Sequence, residues 1–128
     1  MNVLGVHHIA IICSDYEKSK HFYVEILGLK IIRETFREAR NSYKLDLALE
    51  DNVQIELFSF PSPAQRPSRP EAVGLRHLAF RVNNLDHAVA SLRQHGIESE
   101  SIRIDELTGK RFTFFRDPDE LPLELYEV

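Results

Sequence analysis

The chain of 128 residues holds one cysteine, one methionine, no tryptophan and five glycines. A lone cysteine, Cys13, excludes an intrachain disulfide, so a reducing compartment is permitted; the residue reads as a small buried apolar side chain. No stretch approaches the roughly 18 apolar residues of a membrane span. The first fourteen residues are fairly apolar, yet they lack a basic leading segment and contain two histidines, so they do not read as a signal peptide. Basic surplus is absent too: 16 Lys and Arg against 20 Asp and Glu give a net charge of −4. That leaves no electrostatic footprint for nucleic acid or an anionic membrane surface, and any anion must be held locally. These absences predict a cytoplasmic protein whose partners include neither nucleic acid nor membrane.

What is present is a duplication. Val6-His7-His8-Ile9-Ala10-Ile11-Ile12 and Leu75-Arg76-His77-Leu78-Ala79-Phe80-Arg81 are strand patterns that each carry one histidine at matching places. Val53-Gln54-Ile55-Glu56-Leu57-Phe58 and Leu121-Pro122-Leu123-Glu124-Leu125-Tyr126 each carry one glutamate. His8 and His77 lie 69 residues apart, Gly28 and Gly96 lie 68 apart, and Glu56 and Glu124 lie 68 apart. Two half-modules of this size would each be marginal alone, so the pattern predicts one domain over 1–128 with a shared sheet or core.

In the first module, about 5–60, residues 5–13 alternate as a strand, and Asp15 caps a helix striped by Tyr16, Phe22, Tyr23, Ile26 and Leu27. Gly28 stops it. Strands over 29–37, 43–50 and 53–60 follow, with turns near Arg40-Asn41-Ser42 and Glu50-Asp51-Asn52. Residues 61–73 hold four prolines and read as an extended linker. The second module, about 74–128, repeats the plan: a strand at 75–82, a helix capped by Asn84 and stopped by Gly96, then strands near 97–104, 111–116 and 122–127. The expected class is α+β, with βαβββ twice.

Strand alternation then fixes faces. His8 shares a face with Ala10, Glu56 with Phe58, His77 with Ala79 and Glu124 with Tyr126, each opposite an aliphatic row that two helices can cover. Any one of the four, taken alone, is more simply a core histidine or a rim glutamate. Together, two buried carboxylates without a cation would repel and be costly to desolvate. Two imidazoles and two carboxylates suit one borderline divalent ion, among which Zn, Ni, Co, Mn and Fe are not distinguished, and leave open positions in an octahedral shell.

The paired His and Glu strands, the duplicated plan and the ending Phe115-Arg116-Asp117-Pro118-Asp119-Glu120-Leu121-Pro122-Leu123-Glu124-Leu125 resemble the vicinal oxygen chelate superfamily. Within it they resemble the glyoxalase I family, above all small bacterial proteins of the YaeR type. The resemblance spans the full length. It implies a curved eight-stranded mixed sheet around a central metal held by His8, Glu56, His77 and Glu124, with helices outside. It also implies a homodimer, with the site built within one chain or across two. The activity it implies is that of a lactoylglutathione lyase-like lyase or isomerase, acting on a small, hemithioacetal-like substrate with or without a conjugated thiol. The metal would stabilise an ene-diolate while Glu124, or else Glu56, moves the proton.

Two departures bear on that expectation. Glu120 stands where the motif usually has glycine, and Leu57-Phe58-Ser59-Phe60-Pro61 is unlike the corresponding segment that helps hold glutathione. Two alternatives stand beside the lyase: an Fe(II) ring-cleaving dioxygenase, which needs two His and one carboxylate, and a non-catalytic metabolite- or drug-binding protein. The loop-borne pairs Arg37 and Arg40, Arg66 and Arg69, and Lys110 and Arg111 could grip a substrate carboxylate or phosphate, although solvated surface charge is the simpler reading of each. Phe58 and Tyr126, on the ligand-bearing faces, could line the pocket.

Overall fold

Period-two alternation with β-branched and aromatic residues builds eight strands, which a computed structural model describes for all residues 1–128. They fall into two compact units, 1–65 and 66–128, each with its own four-stranded sheet. The proline-rich stretch holds no helix or strand, and the unit boundary runs through it.

In the first unit the strands are β1 (His8–Cys13), β2 (Lys30–Arg37), β3 (Ser42–Ala48) and β4 (Gln54–Ser59), ordered β1-β4-β3-β2. β1 runs parallel to β4, and the other pairs are antiparallel. Asp15 Oδ1 accepts from the Lys18 amide at 3.1 Å and starts helix α1 (Tyr16–His21), which continues as a π-helical turn over Phe22–Ile26. Gly28 leaves it at φ +76°, a conformation that glycine adopts freely. Tyr16 stacks on Tyr43 at 4.4 Å and donates to Glu34 at 2.5 Å. Burial and then that carboxylate keep its hydroxyl protonated far above the usual range. The helix therefore covers the face carrying Glu34, Tyr43 and the fully buried Leu45, Leu47, Ile55 and Leu57.

The second unit repeats this with β5 (Leu78–Val82), α2 (Leu85–Gln94), β6 (Arg103–Ile104), β7 (Arg111–Arg116) and β8 (Pro122–Glu127), ordered β5-β8-β7-β6. β5 and β8 are parallel. Asn84 caps α2 through the His87 amide at 2.9 Å, and Gly96 follows it at φ +73°. Leu85, Leu92, Phe115, Leu123 and Leu125 form the core against the helix.

The α+β class and the doubled βαβββ order hold. The single eight-stranded sheet does not: backbone pairing closes within each unit, giving two sheets of four. Alternation reveals that strands exist, whereas which strands bond to which is set by register, and the sequence carries no direct sign of that. Edges also move. The first strand of each unit starts at His8 and Leu78, later than the alternation suggests, and β6 shrinks to two residues. No helix is long and apolar enough to cross a membrane.

Candidate metal centre

On the first sheet β1 and β4 lie side by side in register, Ala10 beside Glu56 and His8 beside Gln54. This puts His8 Nε2 3.7 Å from Glu56 Oε2, on the face opposite the helix. The imidazole is 44% exposed and the carboxylate 14%. The neighbouring His7 brings its Nδ1 to 3.0 Å from that of His8. His7 precedes the strand, so strand alternation does not govern it.

Two residues that sequence reasoning missed complete this half. Asp46 lies directly across from Glu56 in the β3–β4 ladder, and Lys44 Nζ sits 3.3 Å from each carboxylate. Partial burial pulls the Lys44 ammonium toward deprotonation, but hydrogen bonds to Asp46 and Glu56 more than offset this and hold its pKa above the ordinary value. Lys44 and Asp46 alternate along one strand, which was visible in the sequence. Their meeting with Glu56 needed the register.

The second sheet builds the same pair on a different floor. His77, just ahead of β5, brings Nε2 to 3.0 Å from Oε2 of Glu124, whose residue-level exposure is 9%. Phe112 and Phe114 stand 68 residues beyond Lys44 and Asp46. Phe114 is opposite Glu124 and meets the His77 ring edge-on at 5.1 Å. Arg76 Nη1 lies 3.1 Å from His77 Nδ1. Arginine can only donate, so Nδ1 accepts here and Nε2 carries the proton directed at Glu124. To offer Nε2 to a cation, the neutral ring would have to carry its proton on Nδ1, a tautomer that cannot accept from Arg76.

The donor chemistry fits a divalent ion. Two ligands about 2.1 Å from one metal in tetrahedral or octahedral order lie about 3.0–3.4 Å apart. The His77–Glu124 pair meets this at 3.0 Å, and the His8–Glu56 pair is wider at 3.7 Å, with Glu56 also engaged by Lys44. The donors gather as pairs, and no group of three or more His, Cys, Asp or Glu side chains forms.

The remaining candidates separate clearly. Arg111 makes a forked pair with Glu127, at 2.7 and 2.9 Å, and reaches Asp86 at 2.9 Å on α2. It lies on the helix-covered face, so its task is structural. Tyr126 donates to Asp105 at 3.0 Å and also meets Thr108. Arg66 donates to the carbonyls of Leu75 and Arg76 and folds its own loop. Arg40, Arg69 and Lys110 are exposed. Arg37 and Phe58 stay on the Glu56 face, where the guanidinium lies 4.8 Å from the ring centre.

Residues 5–125 match the family described as the Glyoxalase/Bleomycin resistance protein/Dioxygenase superfamily. The chain belongs to that superfamily. It is 67% identical over 127 residues to the uncharacterized protein YwkD of Bacillus subtilis, covering 99% of both chains. It is 63% identical to the uncharacterized protein YaeR of Escherichia coli, covering 95% of each. A glyoxalase family protein from Enterococcus faecalis has a similar crystal structure, with a TM-score of 0.89 at 49% identity over 97% of this chain and 98% of that one. More distant relatives include a 2-epi-5-epi-valiolone epimerase of Actinomyces, 29% identical over 98% of this chain and 80% of that protein. Another is the lactoylglutathione lyase of Schizosaccharomyces pombe, 25% identical over 98% of this chain and 48% of that protein.

Proposed function

We propose that this superfamily member is a divalent-metal-dependent lyase or isomerase of the glyoxalase I type, acting on a small oxygenated, hemithioacetal-like substrate. The observation that carries the reading is the doubled His–Glu pair, His8 with Glu56 and His77 with Glu124, set by equivalent registers on the face each helix leaves free. Each pair would offer one nitrogen and one carboxylate oxygen to an ion. Once bound, the ion would supply Lewis acidity that makes the C–H beside a coordinated carbonyl more acidic.

The chain's own part is proton movement. Glu124 is the preferred base: nearly buried, it has Phe114 opposite it rather than a basic residue, and its only ionic partner is His77. A carboxylate there can take a proton from one carbon and return it to the neighbouring one without exchanging it with bulk water. Glu56 is the poorer base, because Lys44 Nζ lies 3.3 Å from its carboxylate and competes for the oxygen lone pairs that would take the proton. The lyase and epimerase among the relatives bear names of reactions that shift protons beside oxygenated carbons, which supports this class.

The test is turnover of methylglyoxal with a thiol by protein loaded in turn with Zn, Ni, Co, Mn and Fe(II). Glu124→Gln should lower kcat by at least about 100-fold, the usual scale for a general base. Turnover by no metal form, or full activity of Glu124→Gln, would remove the reading. Lys44 favours one alternative: with Glu56 tied to an ammonium, the chain has one carboxylate fewer to offer an ion, as the two-His, one-carboxylate chemistry of Fe(II) dioxygenases requires. Oxygen uptake with catechols by the Fe(II) form would select it.

A further inference from the structure

Arg37 is unlike the other arginines near a candidate ligand. A cavity of about 900 Å³ in the second unit is bordered by Arg76, Arg103 and Arg116, but these already hold Glu71, Glu100 and Glu120. No carboxylate pairs with Arg37. Its Nη2 donates to Ser42 Oγ at 2.8 Å, and its guanidinium lies 4.8 Å from the centre of Phe58 and 5.6 Å from that of Phe60. Nε is shut off from solvent and has no hydrogen-bond partner. A cation clamped between a hydroxyl and two aromatic rings has little rotational freedom, and the remaining Nη hydrogens form its free edge.

The register places that edge. Arg37 pairs with Ser42, and Ser42, Lys44 and Asp46 alternate on the same face as Phe58 and Glu56. Phe58 is two residues along β4 from Glu56, a rise of roughly 7 Å. Lys44 has its charge offset by Asp46 and Glu56, which leaves Arg37 as the uncompensated positive charge beside them. One fixed planar fork with one unit of charge matches a carboxylate, whereas a phosphate dianion would call for a second cation.

We propose that Arg37 is the anchor for a substrate carboxylate, so that the substrate is a small oxygenated acid whose carboxylate lies a few bonds from the chelating oxygens. This rests on the metal-dependent reading above and narrows its substrate class. Arg37 is then a specificity-determining residue on the sheet of His8 and Glu56. The clamp of Ser42, Phe58 and Phe60 fixes the fork before the substrate arrives, lowering the entropy lost on binding.

Two hydroxamates separate the claims. Acetohydroxamate offers vicinal oxygens to a metal and no carboxylate, and succinate monohydroxamate adds a carboxylate to the same chelating group. Cobalt(II)-loaded protein is titrated with each, reading the cobalt absorption spectrum and the calorimetric Kd. The expected result is at least tenfold tighter binding of succinate monohydroxamate. Arg37→Met should bring the two within twofold without changing the Kd of acetohydroxamate, and Arg37→Lys should restore part of the gap. The methyl ester of succinate monohydroxamate has the shape without the charge and should bind the unmodified protein no better than acetohydroxamate. An ester as tight as the acid, or a preference that survives Arg37→Met, overturns the anchor while leaving the metal reading intact. Acetohydroxamate that leaves the cobalt spectrum unchanged overturns the metal reading itself.

Discussion

Replacing Lys44 by Met keeps the length of the side chain and removes the one positive charge between two carboxylates. Its Nζ lies 3.3 Å from both Asp46 and Glu56, whose side chains are 13% and 14% exposed, against 31% for Lys44. An exposed ion pair contributes at most about 1 kcal/mol, whereas breaking a buried one costs about 3–5 kcal/mol. This bridge lies between those limits. The carboxylates, which face each other across the ladder, would be left without their shared cation, so the expected loss is about 2 kcal/mol. For a chain of this length that corresponds to a fall in Tm of roughly 8 °C. Urea unfolding of metal-free protein at neutral pH gives the loss directly, and the m value shows whether the unfolded state has changed. Adding Asp46→Asn to Lys44→Met removes one of the two charges and should recover about half the loss. A Lys44→Met protein within about 0.5 kcal/mol of the parent, the usual effect of a plain surface substitution, would show that the bridge is surface decoration. A double variant no more stable than Lys44→Met alone would show that carboxylate repulsion is not the cause.

Two further outcomes follow from the second unit. Arg111 first, and the Leu85 amide next, hold the Glu127 carboxyl down at about 2. A depressed pKa contributes stability that is complete above the unfolded carboxyl value of about 4.3 and is lost as pH falls toward the folded value. Glu127→Gln should therefore flatten the acid limb of a plot of urea midpoint against pH between about pH 4.5 and 2; an unchanged limb would contradict the assignment. Glu120 sits at φ +66° in the turn that Asp117 Oδ1 closes onto the amides of Asp119 and Leu121. Left-handed backbone costs a non-glycine residue about 1 kcal/mol or more, and the exposed Arg116 pair offsets little of it. Glu120→Gly should raise Tm by about 2–5 °C on calorimetry, and a lowered Tm would refute the strain.

Much of this fold was legible because its signals are local. The Asp15 and Asn84 caps, the stops at Gly28 and Gly96, and the strands 111–116 and 122–127 coincide with what alternation and turn chemistry predict. The strained Glu120 could be read from a glutamate standing where the motif favours glycine. Long-range pairing could not. Lys44 and Asp46 give no local sign of a site, and only register sets them beside Glu56; Arg111 looked like a loop cation until Glu127 and Asp86 engaged it. The π-helical turn over Phe22–Ile26 had no sequence sign either, since the apolar stripe reads the same in both helix types.

Elemental analysis of the protein purified without chelator, set beside His77→Ala prepared identically, tests the central claim most directly. One divalent ion per chain is expected in the parent and little in the variant, with unchanged circular dichroism, because the buried aliphatic face of the sheet is untouched. A parent that takes up no stoichiometric ion from any of the candidate metals, or a His77→Ala protein as fully loaded as the parent, would contradict it.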